Sequence, residues 1–174
     1  MKLSALIVAL GVAAPGAHAS AQSVTDAQIA SIVVTANQVD IDAGKTAAAK
    51  TTNAEVKKFA QLMVTDHTGV NKSATDLVTR LKVTPEDNDT SKALKAGGAA
   101  NLTALSAVGG DAFDKVYVDH EVAYHQQVLD AVDKTLIPNA KNAELKALLV
   151  KVRPAFVAHL EHARHLQSTL GGKH

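Results

Sequence analysis

The sequence predicts an all-α protein, an antiparallel four-helix bundle with a short extra helix between the second and third long helices. Three observations carry this prediction. Apolar residues recur at intervals of three and four over segments of about 25 residues, the signature of helices with one buried stripe. Alanine is abundant, and alternating β-branched patterns are few. The links between most of the long segments are short, which favours antiparallel neighbours.

The first long helix follows Thr25-Asp26, whose oxygens offer caps to free backbone N–H groups, and it aligns Ile29, Ile32, Val33, Ala36, Val39 and Ala43. The second opens with Thr52 and Glu55 in capping-box spacing. It continues through Val56, Phe59, Ala60, Met63, Val64, Val70, Ala74, Leu77, Val78 and Leu81, with one polar interruption at His67. The stretch "VTPEDNDTS" reads as a polar turn, followed by a weaker helix near Ser91–Ala107 that Gly97-Gly98 should break. Gly109-Gly110-Asp111 introduces the third long helix, with Phe113, Val116, Tyr117, Tyr124, Val128 and Ala131 on one line and Val118, Val122, Leu129 and Val132 beside it. After Ile137-Pro138-Asn139, a fourth starts near Asn142 and runs to Leu170. Pro154 lies inside it and should kink it, since proline lacks the N–H that would bond back to Val150.

Ahead of these segments, "MKLSALIVALGVAAPGAHAS" has a positive start at Lys2, a short apolar run and Ala17-His18-Ala19 before Ser20. Residues 1–19 are therefore expected to be a secretory signal peptide, leaving 20–174 as a single bundle domain. The apolar run is too short to span a bilayer, and no second one follows, so no transmembrane segment is expected. A soluble periplasmic protein is the implied destination.

Lys2 is the only charge in that leader, so 17 basic residues face 17 acidic ones in the remainder. Without a concentrated basic surface, nucleic acid is not an expected partner. The chain has no cysteine, which excludes disulfides, thiolate metal sites and covalently attached haem.

The chemistry-bearing residues are histidines. In "AHLEHARHLQSTL" the spacing of three sends His159, His162 and His165 along a slanting ribbon, because each residue advances about 100° around a helix. Only His159 falls in the apolar line; His162 flanks it and His165 faces water. His67 sits four after Met63 and three before Val70, and His125 three after Val122 and four before Leu129. Three helices thus each turn one histidine inward. Neutral imidazole is a common ligand for zinc, copper or nickel, and three of them leave a coordination position open.

Glu121, four before His125 on the same face, is the expected auxiliary ligand. Asp66 adjoins His67 but points about 100° away, so it ranks as a supporting group with His162, His120 and Tyr124. Asn37 and Asp40 stand about as far from the first link as His67 does, which makes them further supporting candidates. His120, His162, His165 and His174 read mainly as surface residues.

Two sharper motifs fail on geometry. "HEVAYH" resembles the zinc-protease pattern with one residue too many, and five residues turn about 140°, too far for both rings to grip one ion. A ferritin-type di-iron site needs Glu-x-x-His on two helices, and no glutamate here has a histidine three later, so no di-iron site is expected. No phosphate loop or serine-nucleophile elbow is present, and nothing identifies a substrate.

"FAQLMVTDHTGVN" (Phe59–Asn71), "FDKVYVDHEVAYHQQVL" (Phe113–Leu129) and "RPAFVAHLEHARHLQ" (Arg153–Gln167) resemble the signature helices of a bacterial family of unknown function. The resemblance implies exported proteins with a ferritin-like four-helix bundle, often labelled outer-membrane proteins, whose histidines match His67, His125 and His159. It extends from about Asp26 to the end of the chain. Related exported bundles rich in His and Met handle copper, but Met1 and Met63 are the only methionines here, which argues against Cu(I).

The combined expectation is a non-enzymatic periplasmic bundle that binds a divalent transition metal through inward histidines. The alternative is a structural or stress-associated module that meets an envelope protein partner, its histidines forming a metal-free hydrogen-bond network. Oligomeric state is not readable from the sequence.

Overall fold

A computed structural model of the protein describes residues 23–172. The expected signal peptide and His174 lie outside these residues.

Helix α1 spans Asp26–Lys50, where Thr25 and Gln28 close a capping box. Helix α2, Ala54–Arg80, is capped by Asn53, whose side chain accepts from the N–H groups of Glu55 and Val56. The expected capping residue, Thr52, is exposed; Asn53 one position later bonds the first turn and takes its place. Helix α3, Asp89–Ala107, is capped by Asn88 and Ser91. Helix α4, Gly110–Ala131, runs on through a π turn at Val132–Leu136 and a short α5 at Ile137–Asn139. Helix α6, Ala143–Gly171, starts at the Asn142 cap and passes through Pro154 without ending. Pro154 is exposed, and Val150, whose carbonyl loses its partner, is 53% exposed, so water can satisfy that oxygen.

These elements make an all-α bundle. The α1–α2 pair turns at Thr51–Asn53, the α4–α6 pair turns at α5, and α3 lies along the outside of α1 with only light contact to α4. Hydrogen bonds at two places fasten helix ends together. Thr51, at the end of α1, donates to Asp114 on α4 at 2.5 Å. The Asp26 carboxylate accepts from the N–H groups of Lys141 and Asn142 at 2.8 and 2.9 Å, which fastens the start of α1 to the start of α6.

The expected break at Gly97-Gly98 does not occur, because one of these glycines serves packing. A Cβ on Gly98 would lie 2.7 Å from Val39 Cγ2, so the missing side chain lets α3 approach α1. A Cβ on Gly97 would meet nothing within 4 Å. Gly97→Ala is therefore expected to raise stability by about 0.5–1 kcal/mol by restricting the unfolded chain. Gly98→Ala should lower it by about 1–2 kcal/mol through overpacking. Paired urea melts at one pH read both signs.

Two apolar clusters fill the ends of the bundle. One gathers Ala43, Ala47, Phe59, Met63, Tyr117 and Ala163; the other gathers Ile29, Ile32, Ala74, Leu77, Val132 and Leu149. In sequence, Asp40, His67, His125 and His159 each fall between residues of these two clusters on their own helix. A polar layer therefore crosses the middle of an otherwise apolar core.

Candidate metal centre

Each inward histidine continues a buried stripe. His67 follows Phe59 and Met63 on α2; His125 follows Tyr117 and Glu121 on α4; His159 follows Val152 and Phe156 on α6. Docking the helices then brings the rings together, with centroids 5.5 Å apart for His67–His125, 5.2 Å for His67–His159 and 5.4 Å for His125–His159. All three are at most 3% exposed. Phe156 stacks flat on His67 at 5.4 Å.

The hydrogen bonds treat the two nitrogens of each ring differently. His67 Nδ1 donates to Asn37 Oδ1 at 2.7 Å, His125 Nδ1 to the Glu121 carbonyl at 3.0 Å, and His159 Nε2 to Asp66 at 2.9 Å. Each acceptor fixes a tautomer. The opposite nitrogens, His67 Nε2, His125 Nε2 and His159 Nδ1, are buried without any hydrogen-bond partner. The three residues offer donor atoms that all lie within 4.8 Å of one another. Burial, then the neighbouring imidazoles, pushes His67 far down, to about 2. Burial also lowers His159, opposed by its bond to Asp66. Both rings are therefore neutral near pH 7, with a lone pair available.

Asp40 stands closer to these nitrogens than Glu121 does. Its Oδ2 is 3.3 Å from His67 Nε2 and 3.8 Å from His125 Nε2. Glu121 Oε2 lies 3.4 Å from His125 Nδ1, the nitrogen already committed to the Glu121 carbonyl. Asp40, Glu121 and His125 also form a second compact donor group. Burial, reinforced by the charge of Glu121, holds the Asp40 carboxyl well above its ordinary range, while His125 opposes the rise. Burial raises Glu121 to about 7, opposed by interactions with Asp40 and Tyr117.

The supporting residues divide. Asp66, which seemed to point away, reaches across the α2–α6 interface to orient His159. Tyr124 meets His125 edge to face at 6.2 Å and donates its hydroxyl to the Ala36 carbonyl at 2.9 Å, which braces the ring from α1. His120 is half-buried rather than a surface residue; it stacks on Tyr124 and its Nδ1 has no partner. His162 is not at the centre, for its ring packs edge-on against Phe59 at 5.0 Å. His165 is exposed. Reading the sequence gave Tyr117 no role beyond the core, yet its buried hydroxyl flanks Glu121; its spacing of four before Glu121 was the available signal.

Fold and centre together define a helical bundle with a buried imidazole cluster at its middle. The sequence family described as "Domain of unknown function (DUF4142)" matches residues 12–166, and the chain belongs to that family. Among solved structures, it is similar to "CopM in the Cu(II)-bound form", at 18% identity and a TM-score of 0.66 over 84% of this chain and 98% of that one. That likeness concerns the fold. No curated protein matches. Among the described residues, no helix is long and apolar enough to cross a membrane.

Proposed function

We propose that the protein is an exported, periplasmic metal-binding bundle that holds one divalent transition ion, zinc, copper or nickel. Its ligands are His67 Nε2, His125 Nε2 and His159 Nδ1, with Asp40 as the fourth and Glu121 beside it as a compensating charge. The observation that carries this reading is that His67, His125 and His159 bring ligand atoms within 4.8 Å of one another, and each ring keeps one buried, unpartnered nitrogen while its other nitrogen is held by an acceptor. Leaving three such acceptors dry is costly, and a cation satisfies all of them at once.

Spacing and charge agree. With metal–ligand bonds of about 2.0–2.1 Å, donors around a tetrahedral ion stand about 3.4 Å apart. The His67–Asp40 edge, at 3.3 Å, already has that separation. Once ionised by a bound cation, the buried Asp40 and Glu121 carboxylates would carry two negative charges, which one divalent cation cancels. A second ion would leave an uncompensated double charge in the core. The all N/O donor set suits Zn(II), Cu(II) or Ni(II), whereas Cu(I) favours thioethers, and no methionine stands in the set.

The metal-free interaction module is the weaker reading because its hydrogen bonds satisfy only one nitrogen per ring. Calorimetric titration of the mature protein with Zn(II), Cu(II) and Ni(II), backed by elemental analysis, tests the choice. We expect one ion per chain, and loss of binding in the His67→Ala, His125→Ala, His159→Ala triple variant. Equal binding by both proteins would refute the site.

A further inference from the structure

A cavity of about 560 Å³ lies beside the polar layer, between α1, α3 and α4. Its size falls within the range of small-molecule sites, about 300–1,000 Å³, and like them it has mainly apolar walls with a few convergent polar groups. Leu94, Val128 and Leu149 contribute to the walls. Exposed residues of α3, Ala93 and Gly97 among them, line it as well, so it opens where α3 and α4 barely touch. Asp40 and His67 line it, whereas His125 and His159 do not. Both lining residues are 2% exposed, and each retains a buried atom without a partner, Asp40 Oδ1 and His67 Nε2. An ion held in the layer would therefore present one side, and only one, to an apolar chamber.

We propose that this cavity binds an uncharged, largely apolar organic molecule ending in one lone-pair donor, and that the donor adds a fifth ligand to the ion on the Asp40–His67 side. The inference rests on the metal reading above. An ion balanced by two carboxylates gains nothing from a further anion in an apolar chamber, so a neutral nitrogen or oxygen head is the fitting chemistry. The apolar body gains from leaving water. Such an arrangement makes the protein a receptor for a metal-ligating organic compound rather than a closed store of the ion.

The test uses the metal-free mature protein loaded with Co(II), whose visible d–d bands report its coordination. Imidazole and 4-phenylimidazole are titrated separately. The phenyl group makes the nitrogen a weaker base, so tighter binding reports the walls and not the donor. We expect 4-phenylimidazole to change the spectrum at a concentration at least tenfold lower than imidazole. Ala93→Phe and Gly97→Phe, four residues apart on α3, place bulk in the mouth while leaving all five polar groups intact; the space beside Gly97 accommodates it. Each should erase the preference with the cobalt bands retained. Equal affinities for the two probes, or a preference unchanged in both variants, would overturn the pocket while leaving the metal site standing. Absence of any cobalt band would instead remove the metal reading, and the pocket's role with it.

Discussion

Glu121→Gln is expected to make the metal-free protein more stable at pH 8 and, in the same variant, to weaken its hold on a divalent ion. The first effect follows from burial. Glu121 is fully buried and its carboxyl is raised from 4.5 to about 7, so the fold favours the protonated form. The stability this confers is complete below about pH 4.5 and is lost as pH rises through about 7. At about 1.4 kcal/mol per unit, that loss is about 3 kcal/mol. Glutamine keeps the shape and never ionises, so it escapes the loss. Urea denaturation of wild type and variant in chelator should show nearly equal stabilities at pH 5 and a gap of about 2–3 kcal/mol at pH 8. Asp40 has the same sign and is itself raised by the charge of Glu121, so removing that charge eases the Asp40 penalty as well and works in the same direction. His67 acts oppositely: its depressed value gives stability that is present above pH 6.5 and lost as pH falls below it. A gap of the same size at both pH values would refute the assignment. With the ion bound, the carboxylate charge becomes favourable, and its removal should weaken affinity about 10–100-fold.

The second large effect is stabilisation by the metal itself. A ligand that binds only the folded chain adds about 2.7 kcal/mol at a free concentration a hundred times its Kd. For a domain of this size that corresponds to a rise in Tm of about 5–10 °C. Differential scanning fluorimetry with Zn(II) or Cu(II) should show this rise at pH 7.5, and chelator should reverse it. At pH 5 the rise should shrink, because protons compete with the ion for the Asp40 and Glu121 carboxylates, both raised by burial. The triple alanine variant should show none; should it fail to fold, His125→Gln, which keeps the volume, serves instead. An equal rise in the variant would place the ion elsewhere on the chain.

Much of this centre was legible from one-dimensional spacing. Intervals of three and four turned His67, His125 and His159 inward, and the folded chain gathers those three rings. The same rule placed Glu121 inside. What a single helix cannot reveal is which neighbour receives a side chain at its edge. Asp66 points away from His67 on its own helix, and for that reason it meets His159 on the next. Asp40 was ranked below Glu121 because height along the bundle is only coarsely set by loop positions, whereas a fraction of a turn decides which oxygen faces which nitrogen. Gly97-Gly98 misled because glycine breaks a lone helix but permits close approach in a packed one, and only the facing Val39 distinguishes the cases. The π turn after Ala131 has no local signature.

The acceptors that orient two of the rings are remote in the chain: Asn37 is 30 residues from His67, and Asp66 is 93 from His159. An extended polypeptide therefore carries free imidazoles that flip between tautomers at random. Their lone pairs acquire a shared direction only when distant segments have already docked. On the metal reading proposed above, an ion would find its three lone pairs converged only after compaction.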